Sequence, residues 1–482
     1  MVEHYALITS DRWRVSEPAV VATAVAAAVI AHPDVSRTAT VVVCAVALVV
    51  VWVSAPASRW WLIAAVVVVM ACVGLRSTAA NRSHTGVALG DVHGWATVVD
   101  DPRDYRASSR IILNIDEVRH ELWARSPSQR QRIMSLAGGD RVLVAGESVV
   151  LDPVRARRVR HEHVQAEFIA DYLADVRDGS AVERSVNRVR DVVAETSATW
   201  MNSDHAALFA GLAIGDDRRQ SAEMTQRFRA SGLSHLTAVS GQNLTLLLAA
   251  AAPALAVCGP RVRWVISVML VMWFAAITRF EPSILRAALM AIGVLTRTVT
   301  GRGGSPIRLL AWAVIVMVVI DPFITTSVGL WLSVGATVGV IAAVGVLGRA
   351  DISSTVVTAI AVTVGAQVGV MVPMLAVFSS MPVWATPVNL VAVPVAGAVM
   401  VVGIPVVLVA AVVPPVAPLL MTPLSWAVRW VDAAARIGEA IEPDDPPLWL
   451  APMVVVLSAA VLVGTVFAWA QRSQHERLPA VG

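Results

Sequence analysis

No lysine occurs anywhere in the 482 residues, so all 38 Lys-or-Arg positions are arginine. A Walker A loop needs a lysine that reaches the β- and γ-phosphates, and the chain is therefore not itself a P-loop ATPase. Schiff-base chemistry and Ser–Lys nucleophilic pairs are excluded with it. An arginine-only, Ala/Val-rich composition is what a GC-rich genome produces, so the missing lysine is not itself a functional signal. Cysteine is nearly as scarce. Cys44, Cys72 and Cys258 each sit within an apolar run, and they supply neither a disulfide framework nor a four-cysteine zinc site. Charge is short too: 15% of residues are charged, where soluble domains carry roughly a quarter. Hydrophobic residues make up 56%, and the mean hydropathy is +0.68. The composition is that of a polytopic membrane protein. A net charge of +3 is too small to point to a partner, although the pI of about 9.1 leans basic.

Charge divides the chain into parts. Residues 1–75 are apolar, with runs near 19–31, 38–53 and 60–75. A helix needs about 20 residues to cross a ~30 Å hydrocarbon core, so the second and third runs are long enough or nearly so. The first is short and ends in a VIA that faintly resembles a signal-peptide cleavage site. Acids in the n-region beside Arg12 and Arg14 favour a retained helix instead. Residues 76–230 hold 22 of the 38 arginines and 22 of the 35 acidic residues, an electrically balanced, water-exposed region. Its first part, 76–165, reads as a small β domain, with strands at 92–99, 109–118 and 141–151 between Gly, Pro and Asp turns. Its second part, 166–230, reads as a helical connector. There Val182, Val186, Val189, Val193, Thr196 and Trp200 recur at helical spacing, with charges between them.

Residues 231–482 form a second hydrophobic block. Spans are expected near 236–258, 264–278, 283–299, 307–320, 325–347, 355–378, 383–412 and 448–470. The apolar piece 206–214 is too brief to cross. An amphipathic helix at 425–441, with Trp426, Trp430, Ala434, Ile437 and Ile441 on one face, is expected in the interface plane. Orientation follows from arginine placement. One set of alternate loops carries Arg261, Arg263, Arg297, Arg302, Arg308 and Arg349, and the other carries Arg279 alone. Six against one places 76–230 outside the cytoplasmic membrane of a multi-pass protein.

The stretch ASGLSHLTAVSGQN (230–243) opens the second block with Gly232, His235, Ser240, Gly241, Gln242 and Asn243. Intramembrane polar groups are costly unless they pair or line water, which makes them functional candidates. A Gly-flanked polar break suits a broken helix beside an aqueous path, and it equally suits a helix-packing patch of small residues. Glu281, Arg286, Gln367 and Asn389 add polarity on later spans, and each could equally serve interhelical hydrogen bonding. His235, Ser240, Gln242 and Asn243 are expected to line or gate an aqueous route, with Glu281 and Arg286 steadying it, Glu281 lying a turn and a half before Arg286.

These motifs carry a resemblance. ALFAGLAIGDDRRQSAEMTQRFRASGLSHLTAVSGQNL is similar to the signature of the ComEC family of competence membrane proteins, in which a GLxxGD element precedes a GLSHLLAVSG core. EPSILRAALMA (281–291) resembles the family's P-S-x-x-RA helix. DPFITTSVGLWLSVGATVGVI (321–341) resembles its D-P-x…G-x-x-L-S-x-x-A segment. AQVGVMVPMLAVF (366–378) with PVNLVAVPV (387–395) resembles its A-Q…P…N-L-x-A-x-P element. The resemblance implies a polytopic α-helical membrane protein with an inserted OB-like soluble β domain. It implies a channel that moves single-stranded DNA across the cytoplasmic membrane during natural transformation. Implied partners are single-stranded DNA, membrane lipid, a secreted or membrane-anchored DNA receptor and a separate cytoplasmic ATPase, with a homo-oligomer left open.

Departures from the family matter. Gln242 and Asn243 follow Ser-Gly where many members have His. Many members also end in a metallo-β-lactamase-like domain with an H-x-H-x-D-H metal cluster. This chain offers only His161-Glu162-His163 followed by Gln165 and Ala166. That domain is expected to be absent, and no metal, cofactor or enzymatic activity is expected. For DNA contact outside the membrane, DPVRARRVRHEH (152–163) offers Arg155, Arg157, Arg158 and Arg160. On a strand these would face both sides, although a solvated edge or membrane-proximal patch gives the same pattern. Trp95, Tyr105 and Trp123 are the few aromatics available for stacking. The alternatives are a transporter of another substrate, which would show an internal repeat, and an intramembrane protease. A rhomboid-type G-x-S-G is broken by Ala238, and Ala213-Ile214-Gly215-Asp216 lacks a second membrane aspartate. No H-E-x-x-H occurs.

Overall fold

The computed structural model describes residues 17–54, 60–83, 89–105, 107–237, 240–301, 304–349 and 354–476. Arg12, Arg14, Ala238, Val239 and Arg302, all considered above, lie outside the described residues. The three apolar runs at the start are helices α1 (Glu17–Ala31), α2 (Arg37–Ser54) and α3 (Trp60–Ser83). Ala26, Ala27 and Ala31 of α1 are fully enclosed. Such small side chains let α1 pack closely against α2, α3 and a later helix of the second block.

A β domain follows, built from β1 (Gly90–Val98), β2 (Arg103–Tyr105), β3 (Ser108–Ile115), β4 (Val118–Ala124), α4 (Pro127–Met134), β5 (Arg141–Val150), α5 (Pro153–Arg158) and β6 (Val164–Arg177). β1, β3 and β5 coincide with the three strands legible in the sequence. β1 pairs antiparallel with both β3 and β5, β3 with β4, and β5 with β6, while β4 and β6 run parallel. The five strands thus close on themselves, and short β2 lies on the free edge of β3. Ile111, Leu113, Ile115, Phe168 and Leu136 fill the interior. Ile112, on the opposite face of β3, packs under Leu151, Val159 and Val164. The domain continues through Arg177, past the boundary expected at 165.

The connector is three helices, α6 (Ala181–Trp200), α7 (Ser203–Ile214) and α8 (Ala222–Ala230). α6 opens with a capping box between Ser180 and Glu183 and buries Val186 and Val193 as its periodicity requires. Arg190 is buried on the same face. α7, the piece too short to cross, is enclosed on every side, between Asn202 as N-cap and Gly215 in the left-handed conformation as C-cap.

The second block comprises α9 (Ser234–Thr237), α10 (Gly241–Leu255), α11 (Pro260–Ile277), α12 (Pro282–Thr300), α13 (Pro306–Ile320), α14 (Val328–Arg349), α15 (Thr355–Phe378), α16 (Ala385–Val412), α17 (Ala417–Ile441) and α18 (Leu450–Glu476). Among the described residues five helices are long and apolar enough to cross a membrane, α11, α12, α14, α15 and α16. α14 and α15 approach most closely, because Gly335 and Gly339 face Gly365 and Gly369. A Cβ on Gly339 would lie 1.9 Å from the Gly365 carbonyl oxygen.

α17 is amphipathic, as expected. Its Trp426, Trp430, Ile437 and Ile441 are exposed, and the opposite face, with Val428, Val431, Asp432 and Ala435, is buried against α16, α7 and α8. The helix is therefore packed on protein, with its tryptophans turned outward. Trp384 and Trp449 are also exposed, in keeping with the aromatic belts of membrane proteins.

Candidate functional site

The polar stretch 230–243 is assembled turn by turn. Two residues past the end of α8 stands Gly232, whose φ of +73° is left-handed, and the Leu233 N–H returns to the Phe228 carbonyl at 2.8 Å. Only glycine fits: a Cβ there would lie 2.5 Å from that of Ala385. His235 follows on the short α9 and is exposed. α10 then starts at Ser240–Gly241. Ser240 occupies the N-cap position without capping the helix; its hydroxyl donates instead to Asn243 Oδ1 at 3.0 Å. Buried Asn243 donates from Nδ2 to the Leu212 carbonyl at 3.4 Å, tying α10 to α7. Gln242 is exposed and lies beside Gly397 of α16.

Around this break five helices touch in cyclic order: α10 packs on α12 and α16, α12 on α14, α14 on α15, and α15 on α16. Three of the joints carry sequence-selected residues. Gly241 of α10 sits where a Cβ would meet Ala287 and Arg286 of α12, at 2.9 and 3.0 Å. Arg286 donates from Nε to Ser333 of α14 at 2.9 Å. Gln242 reaches Gly397 across α10 and α16. Gln367 lies on α15 two residues from Gly365 and from Gly369, hence about 200° around the helix from the face that packs on α14. Asn389 of α16 donates to the Ala385 carbonyl one turn earlier at 2.8 Å, and its buried Oδ1 has no partner among the described residues.

Glu281 and Arg286 form no ion pair with each other among the described residues. Glu281 precedes α12 at the end nearest the β domain. Burial pushes its carboxyl up to about 7, with Arg103 opposing and Asp217 and Asp100 adding to the rise. Arg286 is a turn and a half into the span and touches Ser333 and Met290. The spacing puts the two on different faces and at different depths.

Sequence reasoning missed the junction that seats the β domain on the helices. Asp101, after β1, accepts from Arg190 of α6 at 2.6 Å and from Arg279 of the α11–α12 turn at 2.9 Å. Burial alone would raise the Asp101 carboxyl, and the Arg190 and Arg279 guanidiniums outweigh it, holding it well below the usual carboxylate range. Arg190 also donates to the Ile277 carbonyl at 2.7 Å and lies 3.4 Å from Asp216. Asp216, in the Gly215-Asp216 element after α7, accepts from Arg218 at 2.6 Å. On the far side of the interface His163 pairs with Asp321 at 2.9 Å. The α11–α12 and α13–α14 turns therefore face the β domain, as the alternation of arginine-poor loops requires. A signal was legible in part: Arg279 is the lone arginine of its set of loops.

The arginine cluster is helical, not a strand. Asp152 caps α5 and Pro153 opens it, so Arg155, Arg157 and Arg158 project around one short helix, and Arg160 falls in the turn beyond. Arg155 is engaged: its guanidinium pairs with buried Glu121 and lies 4.4 Å from the Trp123 ring centroid. Tyr105 stacks on the same ring, centroids 5.3 Å apart. Arg157 and Arg158 are exposed. Of the neighbouring triplet, Glu162 pairs with Arg110 at 2.5 Å, His163 reaches Asp321, and His161 Nδ1 is buried without a partner among the described residues. Trp95, on β1, is flanked by Arg177 and Arg141, at 4.2 and 5.8 Å from its ring centroid.

The family model described as competence protein matches residues 212–472. The match begins inside α7, takes in the Gly215-Asp216 element and the polar break, and runs into α18. No curated protein and no solved structure matches the chain.

Proposed function

The chain belongs to the competence protein family, and from that premise we propose that it forms the channel by which single-stranded DNA crosses the cytoplasmic membrane during DNA uptake. The observation that carries the proposal is the five-helix contact ring, α10–α12–α14–α15–α16, with the polar break at the start of α10 lying on it. A polyanion needs a path that is polar enough to replace water, yet too sparsely charged to trap it. The ring meets both demands: Ser240, Gln242, Ser333 and Gln367 are neutral, and Arg286 is the buried arginine of those helices, whereas Arg297 lies in the last turn of α12 and Arg349 ends α14.

The soluble domain fits a role in guiding the strand. Its closure by β1 and β3, its single parallel pair β4–β6 and the helix α4 between β4 and β5 support the OB-like reading. OB folds bind single strands with basic grooves and stacking aromatics. Arg157 and Arg158, exposed on the same short helix as Arg155, offer the positive charge, and Tyr105 and Trp123 offer the aromatic surface. We place this domain on the outer face of the membrane, since the arginine-rich loops then lie inside. A separate receptor would deliver the strand, and a cytoplasmic ATPase would supply the drive that a chain without a Walker lysine cannot. No nuclease role, metal or cofactor is assigned to the chain.

Deletion of the chain from a transformable host tests the proposal. DNA should still bind the cell surface but stay sensitive to added DNase. Normal accumulation of DNase-resistant DNA would overturn it.

A further inference from the structure

Arg286 is 6% exposed and stands inside the span Pro282–Thr300. An arginine stays charged at any accessible pH, and a buried charge without a counter-charge is costly. Nε is satisfied by Ser333 at 2.9 Å, and Nη1 lies 3.3 Å from Met290 Sδ, a weak acceptor. Nη2 has no partner among the described residues, and no carboxylate pairs with the guanidinium. The Nη2 arm points at the start of α10, coming within 3.0 Å of where a Cβ on Gly241 would be.

That helix end is itself positive. The first N–H groups of a helix carry about half an elementary charge and are satisfied by a cap or a ligand. Ser240 is turned away to Asn243, so α10 has no side-chain cap. The Asn243 N–H goes to the Ser240 carbonyl at 3.1 Å; those of Gly241 and Gln242 have no acceptor among the described residues. Two positive groups from different helices thus converge on one spot, and glycine lets them approach, since a Cβ there would lie 2.9 Å from that of Ala287 and 3.0 Å from Nη2. Like charges arranged this way repel unless an anion lies between them.

We infer that the Nη2 arm of Arg286 and the uncapped first turn of α10 form a binding site for a phosphate group, occupied in transit by the phosphodiesters of the DNA strand. The chemistry suits it: a guanidinium edge and two backbone N–H groups match the oxygens of one phosphate. A single site of this kind slows a passing strand without capturing it. The inference rests on the channel reading and deepens it. An anionic lipid headgroup carries the same phosphate chemistry and is the rival source.

The test uses the full chain in nanodiscs of phosphatidylcholine, with a fluorescent oligothymidylate as probe and affinity followed against salt. Arg286→Gln should weaken binding about tenfold, the scale of a hydrogen bond to a charged group. The slope of log K on log salt should flatten by about 0.7, the value for one single-strand phosphate. Arg286→Lys, which keeps the charge, should retain most of both. Gly241→Ala keeps the arginine but fills the space before Nη2, and it should lose affinity as Arg286→Gln does. Unchanged affinity and slope in both Arg286→Gln and Gly241→Ala, with the wild type binding normally, overturns the site and leaves the channel reading standing. A wild type that binds no oligonucleotide overturns both. If phosphatidylglycerol in the nanodisc abolishes the Arg286-dependent part of binding, the site belongs to a lipid headgroup and the DNA assignment falls.

Discussion

Arg190 donates to Asp101 at 2.6 Å, and both side chains are buried, so one ion pair locks the β domain to the connector helix. The same guanidinium reaches the Ile277 carbonyl at the end of α11 and the carboxylate of Asp216. Three parts of the molecule therefore meet on a single side chain. Arg279, from the turn after α11, closes the arrangement by donating to Asp101 and to Asn187 of α6.

Without Arg190, Asp101 keeps Arg279 and Asp216 keeps Arg218, so the expected loss is that of a charge-assisted hydrogen bond, about 1.5–3 kcal/mol. Arg190→Ala is expected to lower the thermal midpoint of the detergent-solubilised protein accordingly. Arg190→Lys should not restore it, because an ammonium cannot reach three acceptors in these directions. An unaltered midpoint in Arg190→Ala would show that the junction adds no stability.

Glu281 sets a pH dependence. Its carboxyl rises from 4.5 to about 7 in the folded protein, because of burial and then the nearby Asp217 and Asp100. The folded state thus holds the proton more tightly than the unfolded state. The stability this group contributes is complete below pH 4.5 and is lost as pH rises through 7. Glu281→Gln should abolish that loss, making the variant more stable than the wild type at about pH 8 but not at about pH 4.5. Parallel stability–pH curves for the two proteins would contradict the assignment.

The α14–α15 contact is a backbone contact. A methyl on Gly339 would sit 1.9 Å from the Gly365 carbonyl oxygen, whereas one on Gly345, six residues further along the same helix, meets nothing within 4 Å. Gly339→Ala should cost about 1–3 kcal/mol through overpacking. Gly345→Ala should be neutral or slightly stabilising. Equal thermal midpoints for the two variants would show that the helices separate freely.

Within the arginine cluster the structure separates two roles. Arg157 and Arg158 are exposed, so replacing both with Gln should leave folding intact. It should also flatten the salt dependence of single-strand binding by about 0.7 for each phosphate no longer neutralised. Arg155→Gln should instead destabilise the protein, since it strips a partner from buried Glu121. Reversal of the two outcomes would mean that Arg155, not its neighbours, meets the strand.

Five of the eight spans expected in the second block are long and apolar enough to cross, and those at 236–258, 307–320 and 448–470 are shorter apolar helices among the described residues. The five were legible because lipid leaves a backbone no partner but its own helix, so run length reads as structure. α7 was not, for a related reason. Its nine residues 206–214 are apolar and buried on every side, which fits a core helix wrapped by α6, α16 and α17 as well as a failed span; Asn202 and Gly215, good cap residues, were the usable hint. α17 shows the limit of periodicity. Two faces were evident, but lipid is as apolar as a protein core, so the pattern could not say which face turns inward. For the arginine cluster the helix-start signal Asp152-Pro153 was present and outweighs the strand expectation. Of the site, the glycines and Asn243 were readable from the polar break alone. The pairing of Arg286 with Ser333 and the Asp101–Arg190–Arg279 junction were not, because each joins residues distant in sequence.

Cross-linking during uptake tests the channel most directly. A photoreactive residue placed at Gln242, on the five-helix ring, should form adducts with DNA while cells are taking it up. The same residue at Trp426, on the outward face of α17, should form none. Adducts at Gln242 that vanish when uptake is blocked are the result this account predicts. DNA adducts absent at Gln242, or equal at both positions, in cells that take up DNA normally would contradict it.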